Sequence, residues 1–105
     1  MFTLVKNPTF RSTATIHVPT DDGVQAQTLT VRFRLLGAGE EPGADLDFLQ
    51  RVIVSLEDVV DETDAALPYC DEVRDLLLAR PFVRQGLVQA YFDTVTGAKA
   101  ATRGN

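Results

Sequence analysis

Apolar and polar residues alternate in two stretches near the N-terminus, with the period of two that is typical of a half-buried strand. The first stretch covers residues 10–18 and the second covers residues 28–35. Residues 19–23 between them read PTDDG, which favours a chain reversal because glycine accepts positive φ without steric cost. The sequence therefore predicts an antiparallel hairpin, and residues 1–5 are available to extend it as a further short strand.

Later in the chain, apolar residues recur at steps of three and four, which is the period of an amphipathic helix. The first predicted helix has Asp45 as its N-cap and runs to about Val60. The second covers residues 71–79 and has acidic residues in its first turn, where they complement the helix dipole. The third begins at Pro81 and stops at Gly97, since proline suits a first helical position and glycine suits a position just past the end.

These elements predict an α+β fold. An isolated hairpin is marginal in water, so the apolar face of the N-terminal hairpin must pack against other elements, and about three C-terminal helices can cover it. We expect one domain over residues 1–97 and a flexible C-terminal tail over residues 98–105. A chain of 105 residues is long enough to form one hydrophobic core without a metal or a disulfide.

Charge and cysteine content narrow the choice of partners and compartment. The net charge of -5 opposes binding to nucleic acid and to anionic lipid, because both depend on Lys and Arg. No apolar run approaches the roughly 20 residues of a membrane-spanning helix, and the N-terminus lacks the features of a signal peptide. The single cysteine, Cys70, fits a reducing compartment and is expected to be a small buried or half-buried residue. We expect a cytoplasmic protein with protein partners.

The sequence contains little that could support catalysis. Its one histidine, His17, lies on the polar face of the first predicted strand, without a nucleophile motif or a glycine-rich phosphate loop. The acidic residues of segment 58–64 lack the central glycine and the terminal glutamate of a calcium loop. We therefore expect no enzyme activity, no cofactor and no bound metal.

Short motifs spread over most of the chain carry a resemblance to a known family. They are FLQRVIVSLEDVVDE at 48–62, LPY at 67–69, PFVR at 81–84, AY at 90–91, KNP at 6–8 within the opening residues 2–10, and RGN at 103–105. In these motifs the chain resembles the tail assembly chaperones of siphovirus-like phages and prophages. The motifs are structural and contain no catalytic signature.

The chain departs from the family pattern at two places. Ser55 and Leu56 stand where the family commonly has a Gly-Trp pair, and Cys70 stands where it commonly has a serine as helix cap. Leu56 keeps the apolar character of its position. Because cysteine caps a helix less well than serine, we expect the following helix to begin at Asp71.

The resemblance implies a non-catalytic chaperone that binds the tape measure protein and keeps it soluble while the tail is built. A tape measure protein is long, helical and apolar, so it would aggregate until tube subunits surround it. The resemblance also implies a longer frameshifted product that binds the tail tube protein, and absence of the chaperone from the mature virion. A small structural tail or head-to-tail joining protein, retained in the virion, is the alternative.

The apolar positions of the predicted helices are the candidate partner-binding residues, because aromatic and aliphatic side chains provide much of the energy of protein interfaces. A homo-oligomer is a further expectation, since an open edge of the hairpin can pair with a strand from another copy. The candidate residues are Leu56, Val59, Leu77, Phe82, Tyr91 and Phe92.

Overall fold

The structure is a computed structural model that describes residues 1–97, so the predicted tail at 98–105 lies outside the described residues. It contains a three-stranded antiparallel sheet of order β1-β2-β3 and three helices, which confirms the predicted α+β fold. In chain order the elements are β1 (Thr9–Thr20), β2 (Gly23–Arg34), α1 (Asp45–Val52), β3 (Ile53–Glu57), α2 (Asp71–Leu78) and α3 (Pro81–Thr96).

The predicted hairpin is present, and it is longer than the alternation of residues indicated. β1 and β2 pair from Thr9↔Arg34 to Thr20↔Gly23, and each strand has 12 residues. At the turn, Gly23 has a φ of 113° and its carbonyl oxygen accepts a hydrogen bond of 2.6 Å from the Thr20 hydroxyl. Residues 19–28 are exposed on both faces of the hairpin, so no alternation marks this distal part in the sequence.

The prediction of one helix from Asp45 to about Val60 is wrong. The helix ends at Val52, and Ile53–Glu57 form β3, which pairs with β2 antiparallel. The β-branched residues in this stretch suit a strand, and the second strand of a hairpin still has one edge free to pair. The apolar residues that would continue the helix therefore form a strand, because β2 is available for pairing.

Four local predictions concern the N-terminus and the ends of the helices. Residues 1–5 form no strand, and the third strand of the sheet is β3. The N-cap of α1 is Ala44, and Asp45 is the first residue of the helix. α2 begins at Asp71 as predicted, with no side-chain hydrogen bond from its N-cap Cys70. Cys70 is exposed, so the prediction of a buried or half-buried cysteine is wrong; an N-cap at the surface has no apolar neighbours to cover it.

Helix α3 covers the inner face of β1. It begins at Pro81 and ends before Gly97, whose φ of 73° gives the left-handed C-cap that the sequence predicts. Small residues on β1 allow a close approach, and the hydroxyls of Ser12 and Thr94 share a hydrogen bond of 3.1 Å across the contact. The sheet and α3 thereby enclose the core between them.

Tyr91 of α3 lies at the centre of an aromatic cluster in this core. Its ring meets Phe33 of β2 and Phe48 of α1 edge to face, with ring centroids 5.2 and 4.9 Å apart. Each such pair contributes about 0.5–1.5 kcal/mol beyond the area it buries. The phenolic oxygen accepts a hydrogen bond of 3.0 Å from the backbone N–H of Leu36, so the polar end of the buried side chain has a partner.

Ion pairs hold the linker between β2 and α1. The Glu40 carboxylate accepts hydrogen bonds from Arg34, at 3.0 and 3.2 Å, and from Arg51 of α1, at 3.1 Å. The hydrogen bonds from Arg34, with help from the backbone N–H of Gly37 and from Arg51, lower the pKa of Glu40 from 4.5 to about 2. Within residues 1–97, no helix has the length and apolar character that crossing a membrane requires.

Candidate partner-binding site

An apolar groove lies at the junction of three separate segments of the chain. The middle of the hairpin forms one wall with Val18, the segment after β3 forms a second wall with Val59 and Val60, and the α2–α3 corner forms the floor with Leu77 and Phe82. We call it the Phe82 groove. Its volume is about 270 Å³. A hollow of this size with mostly apolar walls is suited to side chains from another polypeptide.

The wall after β3 is held by a tight loop. Asp58 has a φ of 62° and turns the chain out of the strand, and Val60 then pairs with Ala66 in an antiparallel bridge. The Asp61 carboxylate closes the loop by accepting hydrogen bonds from the hydroxyl and the backbone N–H of Thr63, at 2.6 and 2.8 Å. These bonds lower the pKa of Asp61, so the loop is held by a charged acceptor at neutral pH.

The floor of the groove is set by the sharp corner between α2 and α3. The guanidinium of Arg80 donates to the carbonyl of Leu76, and that of Arg84 donates to the carbonyl of Leu78, both at 2.6 Å. The last carbonyls of a helix have no partner within the helix, so these arginines satisfy groups that would otherwise face solvent. The corner is thereby fixed with Leu77 and Phe82 half-buried along the groove.

Three of the six candidate residues, Val59, Leu77 and Phe82, meet in the Phe82 groove. Leu56 and Tyr91 lie in the core with 4% and 2% of their surface exposed, so their positions are those of packing residues.

The sixth candidate, Phe92, is 37% exposed and does not line the groove. Its ring stacks on that of Phe48, with centroids 5.6 Å apart. The sequence groups these six residues only because all are apolar. The structure places three of them in the groove and two in the core.

Val18 and Val60 line the groove and were missed as site residues. Each is the last apolar residue of a pattern that the sequence does show: Val18 ends the first alternating stretch, and Val60 ends the stripe of the first predicted helix. That shared position at the end of a pattern is the only signal in the sequence. Their proximity depends on β3, which carries the chain from α1 back along the hairpin.

A second, polar hollow of about 250 Å³ lies on the other side of Phe82. His17 lines it and is exposed, as predicted from its place on the polar face of β1. Opposite His17, the side-chain amide of Gln89 donates a hydrogen bond of 2.7 Å to the Asp93 carboxylate. In the part of the chain that the structure describes, no three His, Cys, Asp or Glu side chains are grouped to hold a metal ion.

Charge is unevenly distributed around the groove. Residues 57–64 contain five acidic side chains and no Lys or Arg, and Asp58 of this segment lines the groove itself. Arg80 lines the opposite side. The groove is therefore apolar inside, with an acidic border on the side of the loop.

Comparison with protein-family models, with curated proteins and with solved structures gave no match for this chain.

Proposed function

We propose that this chain is a non-catalytic binding protein, and that its Phe82 groove holds apolar side chains of a partner polypeptide. The observation that carries the proposal is the meeting of Val59, Leu77 and Phe82 in one groove. These residues come from separate segments and are half-buried, so they combine a defined position with surface left for a partner. A partly exposed aromatic residue in a groove is typical of the anchoring positions of protein interfaces.

The partner that we propose is the tape measure protein, and the role is that of a tail assembly chaperone. The resemblance of the chain to that family supports this choice. An amphipathic helix places apolar residues on one face at steps of three and four, and such a face fits a groove of this kind. A long helical partner offers many such faces in succession, so many copies can bind along it.

Binding many copies needs only modest affinity at each groove. A groove of about 270 Å³ holds few side chains, so a single contact is weak. Copies that line one long chain gain avidity without any new type of contact. The net charge of -5 on each copy gives the coated partner a large negative charge, which opposes aggregation.

Co-expression with the tape measure protein tests the proposal. We expect the wild-type chain to bring the tape measure protein into the soluble fraction, and Val60→Asp to lose this effect, since Val60 is 50% exposed and lines the groove. Val24→Asp is the matched control, because Val24 is 70% exposed but belongs to the distal hairpin. A wild-type chain that neither binds nor solubilises the tape measure protein refutes the chaperone role. Equal activity of the two variants refutes the groove as its site.

The proposed place of action is the cytoplasm of the bacterial host, before the tail is complete. A chaperone leaves its client when tube subunits cover it, so the protein is expected to be absent from purified particles. The alternative function, a structural tail or head-to-tail joining protein, requires its presence there. Mass spectrometry of purified virions separates the two. A longer frameshifted product that binds the tail tube protein is part of the same proposal, and the mass of the protein from infected cells tests it.

A further inference from the structure

The first seven residues belong to no helix or strand of the described chain and are all exposed, and we call them the N-terminal arm. Its apolar side chains are among the most exposed of the molecule: the exposed fraction is 88% for Phe2 and 85% for Leu4. Val5 is 56% exposed. A contiguous apolar segment left in water indicates an interaction surface.

The arm leaves the domain at the open end of the hairpin, and the Phe82 groove begins about halfway along the hairpin, at Leu29. The backbone N–H of Leu35 donates a hydrogen bond of 3.4 Å to the carbonyl of Pro8, which extends the β1–β2 ladder by one position beyond Thr9↔Arg34. The arm therefore starts at the open end of the hairpin. The groove lies along its other half, near Val18 and the turn.

Chain length prevents the arm from reaching the Val18 wall of the groove in its own molecule. Leu4 precedes Thr9 by five residues, and a chain of that length spans at most about 18 Å. Val18 follows Thr9 by nine residues of strand, which is about 30 Å at the rise of an antiparallel strand. Even Phe2, seven residues before Thr9, reaches only about 25 Å back along β1 when fully extended. The Val18 wall is therefore beyond reach within one copy, and an arm that packs on Val18 comes from another copy.

The arm and the groove match in size and in charge. A cavity of about 150 Å³ accommodates a benzene ring, so a groove of about 270 Å³ has room for the ring of Phe2 together with the side chain of Leu4. The arm carries Lys6, and the first 20 residues contain no acidic side chain. Asp58 lines the groove, and residues 58–64 contain four acidic side chains and no basic one, while Glu57 just before them is paired with Arg11.

From exposure, reach and complementarity, we propose that the N-terminal arm of one copy inserts Phe2 and Leu4 into the Phe82 groove of a second copy. The arm starts at the open end of the hairpin and the groove lies along its other half, so two copies can exchange arms in a closed pair or link head to tail in a longer series. The inference uses the groove of the proposed function but requires only this chain. A test without any tape measure protein therefore fails or succeeds independently of the chaperone role.

Site-directed cross-linking tests the contact. In a Cys70→Ser background, which removes the only native thiol, one protein carries Leu4→Cys and a second, larger tagged protein carries Val60→Cys. A disulfide needs the two Cα atoms within about 7 Å, so it reports a specific contact. We expect oxidation of the mixture to give a linked species that contains one chain of each kind.

The matched control replaces Val60→Cys by Val24→Cys, which is exposed at the distal hairpin, away from the groove. We expect a several-fold lower yield of the linked species from this control. Equal yields from the two proteins overturn the proposal, and so does a Leu4→Cys/Val60→Cys double variant that links within one chain.

Light scattering gives a second, independent readout. We expect the wild-type chain to have a mass above the 11.5 kDa of one copy at high concentration, and Phe2→Ser/Leu4→Ser to return to one copy. These two side chains lie outside the core, so the variant keeps its fold and its circular dichroism spectrum. A wild-type chain that stays monomeric at millimolar concentration overturns the proposal.

Discussion

Gly86 of α3 lies directly against the backbone of β1: a Cβ atom added to it would stand 2.6 Å from the carbonyl oxygen of Thr15 and 2.6 Å from Cδ1 of Ile16. A backbone oxygen at this distance cannot rotate away as a flexible side chain can. The helix and the strand therefore approach as closely as they do because position 86 lacks a side chain.

Gly86→Ala is expected to destabilise the fold. In an exposed helix, the change from Gly to Ala stabilises by about 1 kcal/mol, whereas overpacking a close contact costs about 1–3 kcal/mol. Because the close contact is with the backbone, the cost of overpacking outweighs the gain in helix propensity. We therefore expect a lower free energy of unfolding in a urea titration. Gln85→Ala, at the exposed neighbouring position of α3, is the control and should change stability little. An alanine variant at least as stable as the wild type would show that the helix can move outward freely.

The Glu40 ion pairs predict a particular dependence of stability on pH. The pKa of Glu40 is lowered to about 2 in the folded chain, so its charged form stabilises the fold above pH 4.5, the ordinary pKa. This contribution is lost as the pH falls from about 4.5 to about 2. We expect Glu40→Gln to reduce stability at neutral pH and to flatten the loss of stability over that acidic range.

Urea titrations at a series of pH values measure this difference. Glu41→Gln, at the next and exposed carboxylate, provides the control for the change of charge. The Glu40 side chain is partly open to solvent, so the prediction concerns the pH range and the direction of the change in stability. Salt should reduce the size of this change, because it screens charges near the surface. Curves for Glu40→Gln and the wild type that run parallel down to pH 2 would contradict the assignment.

The Tyr91→Phe variant tests whether Tyr91 acts in core packing or in partner binding. The change removes the acceptor for the Leu36 N–H and leaves the aromatic cluster in place, so we expect a loss of about 1–3 kcal/mol in the free energy of unfolding. Tyr69→Phe, at a half-buried tyrosine that packs against the edge of the core, is the control. At temperatures where the variant is folded, binding to the tape measure protein should be unchanged. Loss of binding by a folded variant would show that Tyr91 takes part in partner binding.

Deleting the N-terminal arm is expected to strengthen binding of a partner to the Phe82 groove, because the arm of a second copy competes for the same space. If the arm fills roughly nine grooves in ten, its removal tightens the apparent dissociation constant about tenfold. Titration of a tape measure segment into the intact and the arm-deleted chain measures this ratio. Identical constants would show that arm and partner do not share the groove.

The hairpin and α3 could be predicted because each has a signal that is local in sequence. Alternation marks the proximal hairpin, while Pro81 and Gly97 mark the two ends of α3. β3 could not be predicted in this way. Ile53 and Leu56 are three residues apart, which fits the spacing of the preceding helix, and both are buried in β3 because its pairing with β2 contains a register shift.

The candidate site was predictable residue by residue, but its geometry was not. Val59, Leu77 and Phe82 stand out as apolar positions at the ends of elements, and nothing in their spacing indicates that they meet. Their proximity depends on the turn into β3 and on the corner fixed by Arg80. The arm shows the opposite case, since the apolar residues 1–5, available as a short strand by their sequence, form no strand in the described chain.

The distal hairpin is exposed on both faces, so the two sides of the Phe82 groove differ in flexibility. Residues 19–28 are held by backbone pairing with little apolar packing, so their amide hydrogens should exchange with solvent faster than those of the α2–α3 corner. The groove thus combines a compliant side with a rigid one. Under the proposed function, such a groove would adjust to successive segments of a long partner with different shapes, while the core beneath it stays unchanged.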